Sequence, residues 1–268
     1  MTSCSFVDPK KFLFLLSVLV PTHALIAAEW GNLSGTFVYD GALPNPTPIR
    51  IDKDVEVCGK HKLVDESLTV NSGNKGIANV VIYLSLDRGA DEPAVHESYQ
   101  STANDEVTID NEGCRFEPHI VLLRTTQTLV IGNKDPVGHN TKVDTLKNVA
   151  INPIVPANAS IKQKFPDAER LPSRVSCSIH TWMGGWVLIK DDPYFAITDA
   201  DGHFEIPNVP VGKWTFQVWH EANGGTYLKE VSRGGKGEKW KKGKVDVDVK
   251  AGDNDLGTIT VPASLFGR

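Results

Sequence analysis

No stretch of this chain carries the 3.6-residue period of a long amphipathic helix; its apolar residues recur with a period of two, in short runs cut apart by proline and glycine. Leu33, Gly35, Phe37 and Tyr39 alternate with polar neighbours between Gly31 and Asp40, and Ile77 to Leu84 is a β-branched apolar run fit for a central strand. Cys114 to Leu123, Gln127 to Ile131, Trp186 to Ile189, Trp214 to Glu221, Val245 to Val249 and Leu256 to Val261 read as further strands. Asn148 to Pro156 and Ser160 to Phe165 alternate enough for two more. The run Gly41 to Pro48, with three prolines, forbids regular structure and reads as an extended connector. Many short strands with breakers between them lead to an all-β chain of sandwiches.

Within that frame, one loop carries chemistry. Cys177-Ser178-Ile179-His180-Thr181-Trp182-Met183 offers a thiolate, an imidazole and a thioether at positions i, i+3 and i+6, between Val175-Ser176 and Trp186 to Ile189. Such donors can converge on one soft metal, and a His2Cys set with a weak axial Met suits copper. The second imidazole must come from elsewhere. His139 is the candidate, in the turn that follows Leu129-Val130-Ile131.

The N-x-D-x-x-x-H-N turn at Asn133 to Asn140, with C-x2-H-x2-M-x-G-x-V at Cys177 to Val187, resembles the cupredoxins, the small blue-copper proteins. The resemblance implies that His139, Cys177, His180 and Met183 hold one type 1 copper. It implies that Asn140 hydrogen-bonds across the two copper loops and steadies them, as partners of ligands do. The two residues between His180 and Met183 match the short amicyanin-type loop. It also implies a Greek-key sandwich, in which the 37 residues between His139 and Cys177 let one loop meet the other at one end.

Residues 1–28 read as an export signal: Lys10-Lys11, the apolar run Phe12 to Val20, and small residues ending at Ala28. That apolar core is too short to span a bilayer. The expectation is cleavage after Ala28 and a periplasmic or secreted protein, the rival being an uncleaved anchor. Formal charge is -5, and near -6 once Lys10, Lys11 and Asp8 are removed, which does not suit nucleic-acid binding. Without Cys4 the chain keeps Cys58, Cys114 and Cys177. If Cys177 is a metal thiolate, Cys58 and Cys114 are free to pair in an oxidising compartment. Two buried free thiols, or a second metal site using Cys114 with His119, are the alternatives.

After Asp191-Asp192-Pro193 the pattern changes. Tyr194 to Ile206 reads as a strand, an Asp-Gly turn and a strand. With Val209-Pro210 and Gly212 it resembles the carboxypeptidase regulatory-like modules, which carry no catalytic residues. Asp199, Asp201 and Glu205 do not follow a calcium-loop spacing, so a plain hairpin turn is expected. His96, His203 and His220 have no partner at metal spacing. Trp182 reads either as an apolar rim over the metal or as core-edge packing, and Trp186 as packing. Lys229 to Lys244 holds seven basic residues and reads as a solvated loop, with a docking patch for an acidic partner as the sharper alternative.

The reading is therefore an all-β protein with a signal at 1–28, an N-terminal β extension at 29–76, a copper domain at 77–191 and a second β-sandwich at 192–268. Its expected work is one-electron transfer by a single copper to a redox partner protein, without enzymatic chemistry, nucleic acid or a membrane span. The alternatives are a periplasmic copper carrier or sensor, and a metal-free β-sandwich scaffold.

Overall fold

The computed structural model describes residues 1–2, 29–87, 89–222 and 225–267, so the expected export signal, apart from its first two residues, lies outside the described residues. The chain is all-β, built as two sandwiches packed side by side. Among the described residues, the longest α-helix is a single turn at Val55–Cys58, and no helix is long and apolar enough to cross a membrane.

The first sandwich carries the loops of interest. One sheet runs Ser160–Gln163, Thr128–Asn133, Glu106–Glu112, Arg115–Glu117; the facing sheet runs Ile120–Arg124, Gly184–Lys190, Ser173–Ser176, Lys142–Asp144. Ile109, Phe116, Leu123, Leu129, Ile131, Val175, Val187 and Ile189 fill the space between them. Cys177 and Met183 belong to the same core cluster at its edge. Close approach is needed where Gly185 passes His119, because a Cβ on Gly185 would lie 2.8 Å from the His119 carbonyl oxygen.

The second sandwich groups its strands differently from the linear division read in the sequence. Trp30–Asp40 lies between His203–Pro210, antiparallel, and Gly252–Pro262, parallel. Val81–Leu84 pairs with Phe195–Ile197 and with Gly212–His220. The strand expected to form a front extension and the one expected to open the copper domain thus sit inside sheets made with residues 195–262. Phe37, Ile82, Leu84, Phe204, Phe216, Val218, Ile259 and Val261 form its core.

Two expectations about local pairing change. The strands flanking the Asp199 to Gly202 turn do not pair with each other; Phe195–Ile197 joins one sheet and His203–Pro210 the other. Asp199 holds the turn by accepting from the backbone N–H groups of Asp201 and His203, both at 2.9 Å. The basic run is not a solvated loop. Glu230–Arg233 and Lys236–Lys239 form a hairpin, closed by the Arg233–Glu238 pair at 2.7 Å, and Trp240 buries its ring beyond it.

The sandwiches meet through a third apolar cluster of Val81, Tyr83, Ile120, Trp186, Leu188 and Trp219. This explains the unbroken apolar runs. In Val81–Leu84, residues 81 and 83 face the first sandwich while 82 and 84 face their own core; Trp186 and Leu188 alternate with Val187 and Ile189 in the same way. A strand buried on both faces loses its polar alternation.

Candidate metal centre

The local chemistry of two turns brings the expected donors together. Asn133 shapes the first: its side-chain amide donates to the carbonyls of Val137 at 2.8 Å and Val155 at 2.9 Å, and its Oδ1 accepts from the Asp135 N–H at 3.0 Å. This delivers His139 into a short strand pair with Val155. The second turn closes on itself, because Cys177 N–H donates to the Met183 carbonyl at 3.3 Å and Met183 N–H to the His180 carbonyl at 2.9 Å. Strands Ser173–Ser176 and Gly184–Lys190, paired antiparallel, clamp both ends.

Asn140 joins the turns. Its Oδ1 accepts from Ser178 N–H at 2.8 Å and Ile179 N–H at 3.2 Å, and lies 3.4 Å from Cys177 Sγ. Asn140 thus bridges the His139 turn and the 177–180 loop.

His139, Cys177 and His180 each offer one donor atom, and these atoms lie within 4.8 Å of one another. His180 Nδ1 is 3.8 Å from Cys177 Sγ. Both imidazoles are fully buried and Cys177 is 3 % exposed. Met183 is buried at the same end of the core. His139 Nδ1 is a buried nitrogen with no hydrogen-bond partner, while its Nε2 is 2.9 Å from Asp135 Oδ2. A buried unpartnered donor-acceptor atom is costly unless something binds it. An orphaned imidazole nitrogen facing a thiolate fits a metal ligand.

The electrostatics favour the metal-ready thiolate. Burial raises the Cys177 thiol pKa, but the neighbouring His139 and the N–H groups of His180 and Asn140 outweigh it and bring it down to about 6. At His139, burial lowers the pKa, yet Asp135 and Cys177 lift it to about 9. Asp135 itself is pushed up by burial but held below the usual carboxylate range by His139 and by the N–H groups of Cys114 and Gly113.

Two carboxylates missing from the sequence reading orient the imidazoles. Asp135 holds His139 and also accepts from Gly113 N–H at 2.7 Å and Cys114 N–H at 2.8 Å. Gly113 and Cys114 both have positive φ, 65° and 57°, the shape of a tight two-residue hairpin loop that turns both N–H groups toward Asp135. Asp54, from the connector before the single-turn helix, holds His180: Asp54 Oδ2 is 2.8 Å from His180 Nε2. Asp135 stands four residues before His139 inside the asparagine turn, a signal within reach. Asp54 lies 126 residues from His180 in a polar stretch without a motif.

The remaining candidates fall outside the centre. Cys58 and Cys114 form a disulfide, so neither buried free thiols nor a metal site of Cys114 with His119 survives; for the same reason Cys114 offers no thiolate to nearby His61 and Asp135. His119 pairs with Glu221 at the contact between the sandwiches. His220 is buried with Nε2 3.2 Å from the Ala78 carbonyl, and His96 Nδ1 caps the turn at Ser98. Trp182 packs at the edge of the core: its ring lies 5.2 Å from the His180 ring, and its indole N–H donates to the Cys114 carbonyl at 3.1 Å. Trp186 is packing, 4.8 Å from the Trp219 ring.

No family model matches the chain, and no curated protein matches it. Among solved structures it is similar to a purple cupredoxin from Nitrosopumilus maritimus, at 20% identity and a TM-score of 0.27, over 31% of this chain and 99% of that one. A point mutant of amicyanin, in its reduced Cu(I) form at pH 4, aligns at 18% identity and a TM-score of 0.29, over 38% of this chain and 95% of that one. A copper-containing nitrite reductase from Thermus scotoductus aligns at 19% identity and a TM-score of 0.29, over 40% of this chain and 25% of that one.

Proposed function

We propose that this protein is an exported mononuclear copper protein that carries single electrons between redox partners, with no substrate of its own to transform. The observation that carries the reading is the convergence of His139, Cys177 and His180 within 4.8 Å, with His139 Nδ1 buried and unpartnered. His139 Nδ1, Cys177 Sγ and His180 Nδ1 would hold the metal, and the thioether of Met183, buried in the same core cluster, would be the further donor. Copper bound there supplies the one-electron Cu(II)/Cu(I) couple.

The protein's own residues do the rest. Cys177 presents a thiolate at neutral pH, its pKa brought down against burial by His139 and the nearby N–H groups to about 6. Asn140 locks the 177–180 loop to the His139 turn. Two hydrogen bonds tie the ligand loop across its own ends, so its shape is set before metal arrives. Burial of Cys177, His180 and Met183 keeps water from the donors. A rigid, dry donor set keeps the ligands still when charge changes, as electron transfer requires.

Export is supported by the Cys58–Cys114 disulfide, a bond that persists in oxidising compartments. A second reading, a copper carrier, is favoured by one feature: His180 is wholly buried under Asp54, which removes the imidazole edge a partner would touch. Repeated electrochemical cycling of the copper-loaded protein beside a Cu(I) chelator separates the two. An electron carrier keeps its metal and returns a reversible wave over many cycles. Loss of copper to the chelator on first reduction would overturn electron transfer in favour of the carrier.

A further inference from the structure

The connector at residues 49–66 has no place in either sandwich, yet it covers the metal end of the first. Ile49 N–H donates to the Leu63 carbonyl at 2.9 Å and Asp65 N–H to the Thr47 carbonyl at 2.8 Å, closing the connector into a compact loop. Glu66 pairs with Arg115 at 2.5 Å, and Cys58 is bonded to Cys114. At its tip, Asp54 meets His180.

Asp54 is an unusual residue for its position. It precedes the helical turn Val55–Cys58, where an aspartate normally caps the helix with its side chain. Here the side chain makes no cap hydrogen bond, and the backbone is left-handed at φ 46° and ψ 44°. Its carbonyl still accepts from Val57 N–H and Cys58 N–H, both at 2.9 Å. The carboxylate is withdrawn from the helix and given to His180 instead. Uncommon backbone at a polar contact is a mark of a functional constraint.

The disulfide joins this arrangement to the other imidazole. Cys58 N–H is bonded to the Asp54 carbonyl, and Cys114 N–H is bonded to Asp135 Oδ2. Asp54 touches His180 Nε2, and Asp135 touches His139 Nε2. Cys114 thus anchors the Asp135 carboxylate directly, while Cys58 holds Asp54 through its backbone carbonyl, and each of the two carboxylates engages one imidazole at Nε2.

We propose that Asp54 is a positioning residue of the copper centre, and that the Cys58–Cys114 disulfide is the yoke that holds Asp54 and Asp135 in register on the two histidine ligands. This rests on the copper reading given above. In it, Asp54 closes the solvent edge of His180, keeps that ring from turning away from the metal, and places a negative charge beside it that favours Cu(II). Ligand-orienting partners of this kind change metal affinity by about 10- to 100-fold when removed.

The experiment compares wild type, Asp54→Asn, Asp54→Ala and the Cys58→Ser/Cys114→Ser pair. In the copper-free protein, diethyl pyrocarbonate labelling of His180 is followed by peptide mapping; in the copper-loaded protein, the midpoint potential and Cu(I) transfer to a chelator are followed. His180 is expected to be protected in wild type and labelled readily in Asp54→Ala. Asp54→Asn keeps an acceptor, so it should retain protection while its potential rises through loss of the charge. Asp54→Ala should release Cu(I) about 10- to 100-fold more readily, and the serine pair should follow it. Equal labelling of His180 in wild type and Asp54→Ala, or an unchanged potential in Asp54→Asn, would overturn the proposal. The labelling needs no copper, so it decides the role of Asp54 at His180 even if wild type takes up no copper and the electron-transfer reading falls. If the serine pair does not fold, the two Asp54 variants decide the role of Asp54, and labelling of wild type before and after mild reduction decides that of the disulfide, where unchanged protection of His180 after reduction would overturn it.

Discussion

At the scale of single residues, the centre is a set of buried polar atoms each with one task. Asn140 is the most open to test, because a single oxygen satisfies two loop N–H groups and contacts the thiol. Asn140→Ala leaves those N–H groups without a partner, a cost of about 1 to 3 kcal/mol of stability measurable by denaturant unfolding. It should also weaken copper retention by about 10-fold or more in a competition assay. Cys177 offers a pH readout. Although burial opposes it, His139 and the nearby N–H groups bring its pKa to about 6, so thiolate absorbance in the copper-free protein should appear with a midpoint near that value. The interaction stabilises the folded chain fully above the free-thiol value of 9.0 and is lost as pH falls through about 6. A midpoint near the free-thiol value would remove His139 from beside the sulfur.

Elements explain how much is legible in advance. The ligand loop and its flanking strands are readable because their signals are local: the i, i+3, i+6 donors, the apolar Trp186 to Ile189 run, and the asparagine turn before His139. Strand Trp30–Asp40 is readable as a strand but not as a partner of Gly252–Pro262, since parallel pairing across more than two hundred residues leaves no local trace. The Asp199 to Gly202 turn is readable as a turn, while the separation of its two strands into different sheets depends on packing alone. Asp54 is invisible for the same reason, being brought to His180 by a disulfide and a folded connector. The contact between the sandwiches makes its own prediction. Trp219 is 3 % exposed and packs edge-on against Trp186 across it, so Trp219→Ala should cost about 3 to 5 kcal/mol in chemical denaturation. A cost below about 1 kcal/mol would mean that the cluster is not a packed interface.

At the scale of the whole molecule, the connector covers the end of the first sandwich that carries His180, and the second sandwich packs against its side. His119 and Trp186 of the first sandwich both reach Glu221 of the second, Trp186 Nε1 donating at 2.9 Å. Burial lowers the His119 pKa, but the bond to Glu221 and its charge prevail and raise it above 6.5. A raised pKa stabilises the fold fully below 6.5 and loses that contribution as pH climbs through the raised value. Wild type should therefore lose stability on the alkaline side of 6.5 relative to His119→Gln, and parallel stability curves would show that the contact carries no charge. The Cys58–Cys114 bond closes a separation of 56 residues and contributes about 4 kcal/mol by restricting the unfolded chain, tying the connector to the sandwich it covers.

The visible absorption spectrum on Cu(II) addition shows whether Cys177, with His139 and His180, holds one copper through a thiolate bond. Wild type should develop one intense thiolate-to-copper band per protein, and Cys177→Ser should lose it. A spectrum without that band, or a band that persists in Cys177→Ser, would contradict the account.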